Sequence, residues 1–140
     1  MNSPRFPRSI PLWAVSILGI AFGLLTLKEG GTVLFGSELD RAAAGHYVPF
    51  VLWFNFLAGF AYVAAGIGLG LRRRWAAYTA LAIAVATAVV FLAFGVHVTL
   101  EGAFETRTVV AMSLRTAIWA GISFVAWRAL LRTPRLEPAP

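Results

Sequence analysis

The sequence predicts an all-α integral membrane protein, a four-helix antiparallel bundle with both termini cytoplasmic, formed as a single transmembrane domain over residues 1–140. Three observations carry this expectation. Hydrophobic residues make up 59% of the 140 residues and charged ones only 13%, with a mean hydropathy of +0.78, far from the balance of a soluble domain. Four apolar runs, at 11–35, 47–71, 75–100 and 108–131, are each long enough to cross a bilayer. Eight of the twelve basic residues flank those runs in three clusters: Arg5 with Arg8; Arg72, Arg73 and Arg74; and Arg128, Arg132 and Arg135.

The first run is strongly apolar from Pro11 to Leu27 and is extended by Thr32, Val33, Leu34 and Phe35, with the helix expected to loosen at Gly30 and Gly31. A secretory signal peptide is the alternative, since Arg5 and Arg8 form a basic leader. The A-x-A-like Ala42-Ala43-Ala44 lies well beyond the apolar core, with Lys28 and Glu29 intervening, so the run is read as a span. The second run is interrupted only by Asn55. The third is rich in alanine and contains Thr79, Thr87 and His97. The fourth carries Arg115 in its outer half and closes on Trp127 and Arg128 as an interfacial anchor.

Placing the three basic clusters inside makes the termini cytoplasmic and leaves two short outer connections. The acidic residues agree: Glu29, Glu38, Asp40, Glu101 and Glu105 fall on the outer side, and only Glu137 lies in the cytoplasmic tail. The net charge of +6 therefore reads as topology rather than as a nucleic-acid surface. The absence of cysteine excludes disulfides, thiolate metal centres and covalent haem attachment. Gly66-Ile67-Gly68-Leu69-Gly70 lies inside an apolar span and reads as a packing surface, not a phosphate loop. Ser16, Ser113 and Ser123 have no nucleophile-elbow context, so serine hydrolysis is not supported.

Packing faces follow from helical spacing. Asn55, Gly59, Tyr62 and Gly66 form one stripe expected to face protein, whereas Trp53, Phe56, Leu57 and Phe60 are expected to meet lipid. Gly19 with Gly23, and Ala80 with Ala84 and Ala88, repeat the small-residue spacing that allows close helix approach or an oligomer contact. Trp13, Trp75 and Trp127 read as inner belt residues, Tyr47 and Trp53 as outer ones.

Two polar groups stand out. Helical rise puts Asn55 and Arg115 roughly 18 to 22 Å into a ~30 Å hydrocarbon core, with Glu29 slightly farther out. A membrane-embedded charge needs a partner, so Arg115 is expected to pair with Glu29 or to hydrogen-bond Asn55, as a ligand or ion site or as a clamp between helices. The second group is His97, Glu101 and Glu105, spaced by fours at the outer end of the third helix, with His46 at a comparable level. That donor set suits a divalent metal such as zinc, copper(II) or iron, and His46 with His97 offers two axial ligands for haem. Gly102 weakens the register by offering a helix end.

These features lead to a small polytopic inner-membrane protein whose outer-facing polar site binds or conducts a cation or small ligand. The alternative is an accessory or assembly subunit docked into a larger membrane complex, or a homo-oligomer, with purely structural polar contacts. No complete catalytic set is identifiable, so an enzyme is the weaker reading. The lipid bilayer is the one partner common to all of them.

Overall fold

The computed structural model describes residues 9–132. Arg5, Arg8, Arg135, Glu137 and the terminal tails lie outside them. Among the described residues are five α-helices: α1 (Ser9–Phe35), α2 (Glu38–Ala44), α3 (Pro49–Gly70), α4 (Arg74–Thr99) and α5 (Thr106–Ala126), the last running on into a π-helical segment, Trp127–Leu131. Four segments are long and apolar enough to cross a membrane, namely α1, α3, α4 and α5 with its extension, and the chain is a multi-pass membrane protein. Their ends fall close to those predicted, because apolar runs in lipid must satisfy their backbone groups internally and helices do so.

One expectation fails within α1. The helix continues unbroken through Gly30 and Gly31. Gly30 is buried against α3, where an added Cβ would stand 3.2 Å from the Phe56 Cβ, so this glycine serves close packing rather than a break. Phe56 is correspondingly part-buried, whereas Trp53, Leu57 and Phe60 are exposed as the spacing predicts.

The turns between spans are set by local chemistry. Pro49 sits in the first turn of α3, where its missing N–H costs nothing. The α3–α4 turn closes with Arg73 N–H donating to the Gly68 carbonyl at 2.8 Å and Arg72 N–H to that of Leu69 at 3.0 Å, Arg72 taking φ 56°. The end of α4 repeats the motif: Gly102 N–H donates to the His97 carbonyl and Glu101 N–H to that of Val98, with Glu101 at φ 63°. A short helix absent from the sequence reading, α2, is started by a capping box in which Ser37 and Asp40 each bond the other's backbone N–H.

Packing is unequal around the molecule. α1 lies chiefly on α3, α3 on α4 and α4 on α5, while α1 and α5 barely touch. Between α1 and α3 the glycines interlock: a Cβ on Gly19 would meet Gly66 at 3.4 Å, and one on Gly23 would meet the Gly59 carbonyl at 2.9 Å. Ser16 donates from its hydroxyl to the Gly66 carbonyl at 2.7 Å. These pairings run in opposite senses along the two helices. One core cluster, containing Leu12, Tyr62, Leu69, Ala80, Trp119, Ile122 and Ala126, fills the half near the α3–α4 turn. A smaller one, Val48, Val51, Phe94 and Met112, lies toward the other end.

Candidate functional site

The sparse contact between α1 and α5 leaves a cavity of about 540 Å³ bounded by α1, α2, α3 and α5. Its apolar walls include Leu25, Val33, Leu52 and Leu114, and its polar lining includes Thr26, Glu29, Asn55, Arg107 and Arg115. The volume lies within the roughly 300–1,000 Å³ range of small-molecule pockets. Glu29, Asn55 and Arg115, singled out from sequence, thus border one space.

Arg115 is placed by the buried stripe of α5, in which Met112, Arg115, Trp119, Ile122 and Ser123 follow at helical spacing. It is only 8% exposed. One terminal nitrogen donates to the Thr26 hydroxyl at 3.4 Å, the other approaches the Met112 sulfur at 3.7 Å, and the guanidinium carbon stands 5.5 Å from the centroid of the Phe22 ring. The bond to Thr26 is long, the thioether of Met112 is a weak acceptor, and Nε has no partner among the described residues. The predicted pairing with Glu29 or Asn55 is therefore corrected. Thr26 lies one turn below Glu29 on the same face of α1, and it is this hydroxyl that stands level with the guanidinium. Glu29 is exposed, and among the described residues it makes no ion pair.

Around Arg115 is a polar layer that the sequence reading missed. The Tyr62 ring stacks on Phe22 with centroids 6.0 Å apart and leans on Trp119 at 4.7 Å. Its hydroxyl is near both Arg115 and Thr87. Asn55 Oδ1, the hydroxyls of Tyr62, Thr87 and Ser123, and Trp119 Nε1 are buried without a hydrogen-bond partner. Each such group inside a membrane costs free energy; Tyr62 and Thr87 stand in one layer with Arg115, while Asn55 lies two turns along α3 from Tyr62 and Ser123 two turns along α5 from Arg115. A signal was available, since Thr26 lies one turn from Glu29 and Tyr62 two turns from Asn55 on matching faces.

The proposed metal group does not assemble. Among the described residues no three His, Asp or Glu side chains converge in a way that could hold an ion. His46 instead stands with its Nδ1 3.5 Å from Glu105, whose Oε1 accepts the His46 backbone N–H at 2.8 Å. The His97 ring contacts the Ala103 carbonyl at 3.1 Å, and Glu101 has left helical register at φ 63°. The helix end at Thr99 is the physical reason: spacing by fours holds side chains on one face only while the helix continues. His46 and His97 make different loop contacts, His46 with Glu105 and His97 with the Ala103 carbonyl.

These loop contacts build the rim of the cavity. Glu105 and Arg107 flank the start of α5, and Arg107 donates to the Ala43 carbonyl of α2 at 2.8 Å. Gly45, at φ 70°, passes so close to Glu105 that a Cβ there would collide with its carboxylate. Hydrogen bonding from the His46 backbone, assisted by the His46 side chain and Arg107, holds the Glu105 carboxyl below its usual pKa. Asp40 is likewise lowered, chiefly by the Ser37 backbone N–H. α2 is thereby fastened to α5 across the mouth. No family model, curated protein or solved structure matches this chain.

Proposed function

We propose that the protein is a small inner-membrane ligand-binding protein, an antiparallel four-helix bundle with cytoplasmic termini, whose outer-facing cavity holds a small ligand against Arg115. Supporting the orientation, Arg72, Arg73 and Arg74 occupy the α3–α4 turn, while the acidic Glu38, Asp40, Glu101 and Glu105 occupy the two connections at the opposite end. The observation that carries the binding reading is Arg115 itself: a buried cation bordering a cavity, with weak hydrogen bonds and, among the described residues, no ionised partner. A buried positive charge at this depth repels cations, so it favours a ligand over a conducted cation.

The test is organic extraction and mass spectrometry of protein purified in lipid nanodiscs. A molecule present at near-stoichiometric amount in the wild type, and lost from a folded Arg115→Met variant, supports the reading. Equal small-molecule content in the two proteins overturns it.

The accessory-subunit reading has one observation in its favour. Ala117, Ala120 and Gly121 are exposed on α5, and a Cβ on Gly121 would meet nothing within 4 Å. Such a surface suits close approach of another helix, from a second copy or a larger complex. Replacing Gly121 with Leu would then abolish a co-purifying partner while leaving the monomer folded.

A further inference from the structure

We infer that the ligand is a membrane-soluble carboxylate, a single anionic head on a hydrocarbon tail, that enters sideways from the outer leaflet between α1 and α5. The inference rests on the binding reading above and names its ligand class. The charge of the head follows from Arg115, which is more than nine-tenths buried, borders the cavity, and leaves Nε unpartnered among the described residues. The guanidinium is a planar fork that matches a carboxylate through two parallel hydrogen bonds, and its terminal nitrogens are held only by the contacts to Thr26 and Met112. The 3.4 Å contact to Thr26 and the 3.7 Å contact to Met112 are weak enough to yield to a charge-assisted bond. Asn55 borders the same space, and its side-chain Nδ2 amide is the donor it can offer the head.

The limit to one negative charge comes from the other ionised groups on the lining. Glu29 and Asp40 face the cavity alongside Arg107, and Arg107 already donates to the Ala43 carbonyl. The two carboxylates on the lining already offset its two guanidinium charges, so a second negative charge on the head would find no further cation.

The tail follows from the walls and the opening. Leu25 of α1 and Leu114 of α5 line the cavity, yet they are 52% and 54% exposed, so the cavity edge is also the lipid-facing surface. Between Arg107 and Arg115 the space extends along α5 for roughly 12 Å by helical rise. At the far end from Arg115, α2 lines the cavity and is tied to α5 by Arg107, and the segment after α2 is tied by Glu105 to the His46 backbone. An apolar chain leaving between Leu25 and Leu114 remains in hydrocarbon throughout.

The experiment is photoaffinity labelling of the full-length protein in nanodiscs with a diazirine-bearing hexadecanoic acid, the labelled residues being mapped by mass spectrometry. Labelling is expected at Leu25, Leu52 or Leu114 and should be competed by hexadecanoic acid, but not by hexadecanol or butyrate. Arg115→Met should weaken competition by about tenfold or more, the loss of one charge-assisted pair, and Arg115→Lys by less. Thr26→Val provides a second variant that keeps the charge, and it should shift competition only modestly. Equal competition by hexadecanol would overturn the carboxylate head, and equal competition by butyrate would overturn the tail. Stronger competition by hexadecyl phosphate would overturn the assignment of one negative charge. Labelling at Leu25, Leu52 and Leu114 that hexadecanoic acid competes no better than labelling of the lipid-facing Leu92 surface would overturn the ligand class, while a different molecule recovered by extraction would leave the binding reading standing.

Discussion

The two ends of the helix assembly are built in opposite ways. Near the α3–α4 turn, interlocked glycines bring α1 onto α3, and Trp119, Tyr62, Leu69 and Ala80 are fully buried beside them. At the other end, α1 and α5 separate, the core shrinks to Val48, Val51, Phe94 and Met112, and a cavity takes the remaining space. Arg115 lies on the border, one helical turn above Trp119. The difference teaches that close packing at one end can hold four helices in place while the other end keeps a cavity. Four helices packed evenly along their length would leave no such space beside a buried cation.

The closed end should therefore be the sensitive one. Trp119→Ala removes the largest fully buried side chain and should cost about 3–5 kcal/mol, read as a lowered midpoint of thermal unfolding in detergent. Gly23→Val introduces a side chain whose Cβ would stand 2.8 Å from Val63 and 2.9 Å from the Gly59 carbonyl, and about 1–3 kcal/mol is expected to be lost. A matching change at the open end, Leu114→Ala, should cost well under 1 kcal/mol because that side chain is already half exposed. If Leu114→Ala proved as damaging as Gly23→Val, the contrast between the two ends would fail.

Arg115 tests the comparison at its boundary. If it served only as a clamp between α1 and α5, Arg115→Met would destabilise the fold. Its bonds to Thr26 and Met112 are weak, and no carboxylate is left unpaired by its removal, so the variant should instead match or exceed wild-type stability by about 1 kcal/mol. Loss of bound ligand with retained melting behaviour separates a binding role from a structural one.

How much of this was legible in the sequence depends on the length over which a signal accumulates. The four spans were readable because each rests on some twenty residues of apolar composition. The stripe of Gly59, Tyr62 and Gly66 was readable because helical period fixes a face. Which residue across a helix boundary meets Arg115 was not, since Glu29 and Thr26 share a face of α1 and differ by only about 4.5 Å in height. Choosing between them requires the relative shift of two helices, and small-residue patterns leave that shift undetermined. The metal group failed for a related reason: the spacing of His97, Glu101 and Glu105 assumed a helix that ends at Thr99. α2 escaped notice because its box uses Asp40 where Glu or Gln is the usual partner.

The strap across the mouth gives a smaller, pH-dependent effect. Glu105 has its carboxyl held below the ordinary value in the folded state, so its contribution is fully present above the usual range, about 4.3 for a glutamate, and is lost as pH falls through the depressed value. Asp40, lowered by Ser37, acts in the same direction on α2. Hydrogen exchange at the His46 amide should therefore accelerate relative to the intrinsic rate as the sample is acidified below about pH 4, while α3 and α4 amides stay protected. Glu105→Gln should raise exchange at neutral pH and flatten the dependence. An unchanged profile would mean that the His46 contact does not hold the loop.

The smallest effect separates the open end's turn from its site. Glu101 occupies the left-handed position after α4, which favours glycine, so Glu101→Gly should relieve backbone strain and stabilise the fold by about 0.5–1 kcal/mol. Because Glu101 closes a helix and does not line the cavity, competition for the photoaffinity probe should remain at the wild-type level in the same variant. A gain in melting midpoint with unchanged competition would show that the open end contains two independent devices, a turn that ends α4 and a cavity that ends at Arg115. A loss of competition in Glu101→Gly would instead tie the α4–α5 connection to the ligand, and the cavity would have to be redrawn to include α4, which at present contributes nothing to its lining.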